Sequence, residues 1–108
     1  ESIAGMCIRV DRFLNKLEEE CAGLRVVVVC HGNIIEGFRL LIENLTQTSW
    51  VRLRDSPHPY DKIHNCQVFW YSRRDPVTKR IRSNIKFCRS VCPWDLSLSR
   101  NDWENIVL

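Results

Sequence analysis

The sequence places a histidine, a glycine and an asparagine directly after a run of four valines and a cysteine. His31, Gly32 and Asn33 follow residues 26–30 and precede an apolar segment. A histidine ring donates a hydrogen bond when neutral and adds positive charge when protonated. Glycine permits close approach of a ligand or a positive φ, and asparagine caps helices and donates hydrogen bonds through its amide. These residue types in this order suit phosphate binding.

Two other roles compete for the same histidine. A histidine in a strand-to-helix turn can be purely structural, and general chemistry alone leaves that interpretation open beside phosphate binding. The third role is metal binding. Elsewhere in the chain, a separate zinc site could be formed by His58, His64, Cys66, Cys88 and Cys92. Structural zinc sites are typically built from pairs of Cys-x-x-Cys spacings, and the sequence has none. We therefore predict no metal and no cofactor.

Hydrophobic periodicity predicts the elements that position this turn. Apolar residues recur at helical spacing over residues 3–21 and again over 34–45, so both segments are predicted to be amphipathic helices. Residues 26–30 are apolar without alternation and rich in β-branched side chains, which is typical of a strand buried on both faces of a parallel sheet. Strand, turn and helix form half of a βαβ unit, and ligands gather at the carboxyl ends of such strands.

The chain changes character after Trp50. Residues 54–64 contain two prolines and two histidines among polar residues and are predicted to form a loop. Residues 65–71 and 81–87 are predicted strands, and a turn at 75–79 joins them into a β-hairpin. The tail, residues 93–108, is polar with two tryptophans, and its pattern predicts no particular element.

Composition predicts a single globular domain spanning residues 1–108. Hydrophobic residues make up 44% and charged residues 27% of the chain, and the net charge of +3 is a weak indication of an anionic partner. No apolar run reaches the roughly 20 residues of a membrane helix, so no membrane partner is expected. Without a secretory signal, the six cysteines are expected to be reduced in a cytoplasmic protein. The start at Glu1-Ser2, without methionine, predicts a segment of a longer protein.

Three ordered segments resemble the histidine phosphatase superfamily, which includes cofactor-dependent phosphoglycerate mutases. The β-branched strand, Cys-His-Gly-Asn and apolar helix resemble the family's second histidine motif. Glu1-Ser2 before a helix resembles a Gly-Glu-Ser segment of the family, and Ile-His-Asn-Cys at 63–66 resembles the element that follows. The resemblance implies an α/β fold: part of the phosphoglycerate mutase-like three-layer fold, with a buried parallel strand between helices and a C-terminal β-hairpin.

The resemblance also implies phosphoryl transfer on small phosphorylated metabolites, by a hydrolase or an isomerase. In the family, a histidine in an Arg-His-Gly motif takes the phosphoryl group, and a second histidine helps to hold the phosphoryl oxygens. His31 matches that second catalytic histidine, and Gly32 and Asn33 match the phosphate-binding residues beside it.

The family's nucleophile motif has no counterpart here, because Arg-His-Gly does not occur in the sequence. The chain is therefore expected to be the C-terminal portion of a histidine phosphatase domain that lacks the N-terminal half. By itself it is expected to be inactive, unless a complementing chain or another copy supplies the rest.

Nucleic-acid binding is the alternative function. Residues 69–89 interleave basic side chains with aromatic ones: Arg73, Arg74, Lys79, Arg80, Arg82, Lys86 and Arg89 with Phe69, Trp70, Tyr71 and Phe87. Such surfaces bind single strands through phosphate contacts and base stacking. The solvated outer face of a hairpin would have the same composition. A small phosphorylated substrate is thus the first predicted partner, and nucleic acid is the alternative.

Overall fold

The structure is a computed structural model and describes residues 2–99 and 102–106. These residues contain three α-helices, a three-stranded antiparallel sheet and two short 3-10 helices, so the content is α/β. The helices are α1 (Ile3–Cys21), α2 (Gly32–Ile42) and α3 (Gln47–Asp55), the strands are β1 (Val68–Ser72), β2 (Phe87–Val91) and β3 (Glu104–Asn105), and the 3-10 helices are Pro59–Asp61 and Leu96–Leu98. No helix in the described part of the chain is long and apolar enough to cross a membrane.

The chain divides into two compact units, Glu1–Leu45 and Thr46–Leu108. The first contains α1 and α2, and the second contains α3 and the sheet. The single domain predicted over 1–108 stays a prediction. Glu1, half of the Glu1-Ser2 pair in the resemblance, lies outside the described residues, as do positions 100, 101, 107 and 108 of the predicted tail.

The first unit is a pair of helices in close contact. Ser2 caps α1, because its side chain accepts a hydrogen bond from the Gly5 amide at 3.0 Å. A Cβ atom on Gly37 of α2 would lie 3.1 Å from Val10 Cγ2, so glycine allows the two helices to approach closely here. The Phe13 and Phe38 rings meet edge to face, 5.9 Å apart. The helix predicted over 3–21 is confirmed, whereas α2 begins and ends earlier than the predicted 34–45.

The buried parallel strand predicted for residues 26–30 is wrong for this structure. The segment joins α1 to α2 outside any sheet, and its backbone makes no hydrogen bond with a described residue. Val27 and Val29 are 90% and 93% exposed, whereas Val26 and Val28 are 45% and 43% exposed. This period of two is that of an extended chain. A valine strand is buried on both faces only within a sheet that other elements cover, and the described strands are antiparallel and lie in the second unit.

The second unit is built on the predicted hairpin, with its second strand displaced along the chain. β1 pairs antiparallel with β2, from Val68 opposite Val91 to Ser72 opposite Phe87, and β3 pairs with β2 on its other side. The predicted second strand, residues 81–87, overlaps β2 at Phe87 alone. Beyond β1 the pairing continues as a single bridge between Arg74 and Ile81. The chain needs residues 82–86 to return to the sheet.

The predicted turn at 75–79 forms, and the displacement of the second strand arises after it, between Ile81 and Phe87. The Asp75 carboxylate accepts hydrogen bonds from the amides of Val77 (2.8 Å) and Thr78 (3.2 Å), and Lys79 adopts a positive φ of 66°. These contacts close the chain tightly, so Ile81 lies opposite Arg74 and not opposite a β1 residue. The buried apolar side chains of the described part of this unit are Phe87, Cys92 and Ile106.

The helix α3 is absent from the sequence prediction. Its apolar residues are only three, Trp50, Val51 and Leu53, so periodicity gives little sign of it. The local signal is at its start, where the Thr46 side chain accepts a hydrogen bond from the Ser49 amide at 3.1 Å. The helix ends at Asp55, just before Ser56 and Pro57, where proline cannot continue it.

Candidate functional site

The three predicted site residues lie together at the start of α2. His31 is the N-cap residue, with φ −106° and ψ 167°, and Gly32 and Asn33 are the first two residues of the helix. The His31 carbonyl accepts a hydrogen bond from the Ile35 amide at 3.0 Å, which closes the first turn. The His31 side chain makes no capping hydrogen bond, and all three residues are exposed. Their side chains are therefore open to a ligand.

The backbone at this point offers several hydrogen-bond donors. The amides of Gly32, Asn33 and Ile34 belong to the first turn, where an α-helix has no internal acceptor for them. No acidic residue stands in this turn to compete with a bound anion. The positive end of the helix dipole and free amides favour negative charge at such a position.

Gly32 leaves this backbone accessible. A Cβ atom built on Gly32 would meet nothing within 4 Å. Its φ is not in the left-handed region, since Gly23 has the positive φ among the described glycines. Of the two roles expected for Gly32, close approach of a ligand is the one that this geometry suits. Arg39, the basic residue of α2, lies in the last turn of the helix, away from Gly32. Its side chain forms an ion pair with Glu43 at 2.9 Å.

The candidate metal ligands of the second unit do not assemble. The His64 ring contacts the Pro59 carbonyl through Nε2 and meets the Trp94 ring edge to face at 6.2 Å. Cys66 is exposed, while Cys92 is fully buried, and burial together with the nearby charge of Asp95 raises the pKa of its thiol. Within residues 2–99 and 102–106, no three His, Cys, Asp or Glu side chains are grouped to hold a metal ion.

The sheet presents a row of aromatic and basic side chains on one face. Trp70 of β1 lies opposite Arg89 of β2, and continuing the β2–β3 register places Trp103 opposite Arg89 on the other side. The Trp70 and Trp103 rings are 4.8 Å apart between centroids and inclined at 63°. Trp70 is 56% exposed. We call Trp70, Arg89 and Trp103 the tryptophan row.

Several cations of the hairpin are engaged with its own backbone. Arg73 Nη1 donates to the Arg82 carbonyl at 3.4 Å, and Arg74 Nη1 donates to the Lys79 carbonyl at 3.2 Å. Hydrogen bonds from the backbone amides of Val77 and Thr78 hold the pKa of Asp75 below its ordinary value of 3.8. Arg73 and Arg74 therefore stabilise the turn through hydrogen bonds and also give it positive charge.

Sequence reasoning missed the contribution of Trp103. It lies in the polar tail, whose pattern predicts no element, and only the pairing of β3 with β2 brings it to Trp70. A two-residue strand leaves no periodic signal in a sequence.

Comparisons with known proteins identify no relative. No protein-family model, no curated protein and no solved structure matches the chain. The resemblance to the histidine phosphatases thus depends on the sequence motifs alone.

Proposed function

We propose that this chain carries the phosphate-binding turn of a phosphoryl-transfer protein of the histidine phosphatase and phosphoglycerate mutase type, with small phosphorylated metabolites as substrates. The supporting observation is the exposed start of α2, where His31, Gly32 and Asn33 surround free backbone amides with no acidic residue in the turn. These donors suit the oxygens of a phosphoryl group. His31 adds a further donor and, when protonated, a positive charge.

In this function the chain binds the phosphoryl group, and the nucleophile that attacks phosphorus does not belong to this chain. A phosphoryl group passes to a nucleophile, which in this family is a histidine within Arg-His-Gly, and the sequence has no such motif. His31 instead holds the phosphoryl oxygens as charge redistributes between them. The chain alone should therefore not hydrolyse p-nitrophenyl phosphate above the blank. Robust turnover that is lost in His31→Ala would contradict this assignment.

Sulfate is a suitable probe, because its charge does not change near neutral pH. In an NMR titration, the amides of Gly32, Asn33 and Ile34 should shift together. Affinity should be millimolar, or about 4 kcal/mol, because few charges contribute. The start of α3 is an internal control, since the Thr46 side chain already accepts from the Ser49 amide.

A matched pair of variants tests whether charge in this turn governs binding. Asn33→Asp introduces a carboxylate of nearly the same shape, which favours the helix but repels an anion. Sulfate binding at α2 should fall at least severalfold. Gln47→Glu makes the same change in charge in the first turn of α3 and should leave binding unchanged. Equal effects of both variants would mean that net charge, and not this turn, controls the anion.

The tryptophan row supports a second candidate, the binding of single-stranded nucleic acid. Trp70 is exposed, Trp103 lies against it, and Arg89 lies between them in the register. Bases stack on such rings, and basic residues contact phosphates in a salt-dependent way. An oligonucleotide should then quench tryptophan fluorescence less in Trp70→Leu than in Trp94→Leu, whose ring is similarly exposed at 57%. If sulfate moves the amides of 80–89 and not 32–34, the hairpin is the anion site.

A further inference from the structure

The two arms of the hairpin, which are β1 and β2 with their extensions toward the turn, pair with one gap. The Arg82 amide donates to the Arg73 carbonyl at 2.8 Å, and the Lys86 amide donates to the Ser72 carbonyl at 3.2 Å. Between these two contacts, residues 83–85 belong to no helix or strand, and their backbone makes no hydrogen bond with a described residue. Such a loop opens at little cost in free energy, so another protein can bind it in an extended conformation.

Ser83 begins this loop and presents an accessible hydroxyl. The residue is exposed, and its side chain makes no hydrogen bond with any residue that the structure describes. By contrast, Ser72 and Ser90 lie within strands, and the Ser90 hydroxyl accepts a hydrogen bond from Gln67 Nε2 at 2.6 Å. The Ser83 hydroxyl is therefore open to an enzyme that modifies serine.

Basic residues precede Ser83 at defined positions. Lys79, Arg80 and Arg82 lie four, three and one residues before it, and no other serine or threonine in the sequence has a basic residue three positions before it. The Arg80 side chain is exposed and makes no ion pair or hydrogen bond in the described part of the chain. Serine kinases that select substrates by charge bind an arginine at this spacing through carboxylates of their own.

We propose that Ser83 accepts a phosphoryl group from a serine kinase that recognises Arg80. The Ser83 oxygen attacks the γ-phosphorus of ATP, and the bond between that phosphorus and the oxygen that bridges it to the β-phosphorus breaks. ADP leaves with the bonding electron pair, and the hydroxyl proton passes to the catalytic base of the kinase. The phosphoryl group lowers the net charge of the chain from +3 to about +1 at neutral pH. This modification does not depend on phosphate binding at His31.

An arginine of the opposite arm is placed to hold the added group. Arg73 Nη1 donates to the Arg82 carbonyl, which belongs to the peptide bond that joins Arg82 to Ser83. At 3.4 Å this hydrogen bond is long. A phosphoserine has three strong acceptor oxygens and carries nearly two negative charges, so a guanidinium binds it more strongly than a backbone carbonyl. Phosphorylation should therefore join Arg73 to residue 83 and strengthen the contact between the two arms.

The test of the site uses the full chain, ATP and the catalytic subunit of cAMP-dependent protein kinase, which selects for arginine before serine. Mass spectrometry should show one added phosphoryl group, and peptide mapping should place it on Ser83. Ser83→Ala should abolish the modification. Arg80→Gln should lower kcat/KM at least about tenfold, because a charged contact with the kinase is lost. Lys86→Gln removes the same charge on the other side of Ser83 and should change kcat/KM less than about twofold.

Three results would overturn the proposal. They are a wild type that is not modified, modification that persists in Ser83→Ala, and an equal loss of kcat/KM in Arg80→Gln and Lys86→Gln. The last result would mean that the kinase responds to the total charge of the hairpin and does not recognise Arg80.

Hydrogen exchange of the Arg82 amide tests whether Arg73 holds the phosphoryl group. This amide donates to the Arg73 carbonyl, so its exchange rate measures the pairing of the two arms. Phosphorylation should slow the exchange severalfold in the wild type but not in Arg73→Gln. Arg74→Gln is the matched control and should keep the slowing, because Arg74 Nη1 donates to the Lys79 carbonyl, which is not adjacent to Ser83. No slowing in the wild type, or equal slowing in both variants, would refute the contact with Arg73 and leave the modification site intact.

Discussion

Residues 26–30 and β1 (Val68–Ser72) are two five-residue segments rich in β-branched or aromatic side chains, and both are predicted to be strands. The second pairs with β2 along its whole length. The first pairs with no described residue and exposes Val27 and Val29 to solvent. Side-chain type favours the extended backbone in both cases. Whether that backbone becomes a sheet depends on a neighbour that its own sequence does not specify.

The two segments also differ in what ends them. β1 runs into the Asp75 turn, which returns the chain to an antiparallel partner within the same unit. Residues 26–30 run into α2, and the turn at His31 leads the chain into a helix instead of back to a partner strand. A hairpin therefore completes its own pairing, whereas a strand between two helices depends on a strand from elsewhere.

Hydrogen exchange should give the largest contrast between the two segments. In dilute protein, amides of residues 26–30 should exchange at nearly the rate of an unstructured peptide. Those of β2 should be protected about a thousandfold or more, in line with a global stability of about 5 kcal/mol. Deuterium uptake read by mass spectrometry on short peptides would measure this. Equal protection in dilute protein would mean that residues 26–30 are paired within the chain.

Truncation of one side chain in each region should change the free energy of unfolding by very different amounts. Phe87→Ala removes a ring that is 6% exposed and should cost about 3–5 kcal/mol in the free energy of unfolding of the second unit. Val27→Ala removes a side chain that is 90% exposed and should change stability by less than about 0.5 kcal/mol. Urea titrations would compare them. A costly Val27→Ala in the monomer would show that the valine face is covered.

The rates of thiol labelling should also differ between the cysteines that lie near the ends of the two regions. Cys30 ends the valine segment and is half-buried, whereas Cys92 follows β2 and is fully buried. Burial raises the pKa of both thiols, so exposure should decide their relative rates. A thiol reagent at neutral pH should modify Cys30 at least about tenfold faster than Cys92. This ratio corresponds to a difference of about 1.4 kcal/mol in the free energy of exposing the thiol. Peptide mapping after timed quenching would assign each site, and faster labelling of Cys92 would contradict the buried position.

The smallest effect concerns the turn that enables β1 to pair. Hydrogen bonds from the Val77 and Thr78 amides lower the pKa of Asp75, so its carboxylate stabilises the turn above pH 3.8. This contribution is lost as pH falls below 3.8 and through the lowered folded-state pKa. An NMR titration of Asp75 should give a midpoint below 3.8, with the two amides shifting in parallel. Asp75→Asn should abolish that step, and a midpoint above 3.8 would contradict the turn geometry.

The helices could be predicted from the sequence where periodicity and caps agree. Over residues 3–21, apolar spacing and the Ser2 cap give the bounds of α1 directly. α3 has a cap at Thr46 but only three apolar residues, so the prediction omits that helix. β2 begins later than predicted because residues 82–86 lie outside the strand, between Ile81, which the turn brings opposite Arg74, and Phe87, which pairs with Ser72.

The sequence by itself determined the local setting of the candidate site residues. A β-branched run, then His31, Gly32 and Asn33, then an apolar helix specifies a turn at a helix start, because each of these preferences acts within a few residues. It also specified the antiparallel hairpin, since a turn with strand-forming residues on both sides brings its own partner.

Only the tertiary structure decided what those elements pair with. The exposure of Val27 and Val29, the meeting of Trp70 with Trp103 and the burial of Cys92 each depend on residues far away in the chain or outside it. Side-chain preference sets the conformation of a segment locally. Burial requires a second surface, and no local pattern encodes where that surface comes from.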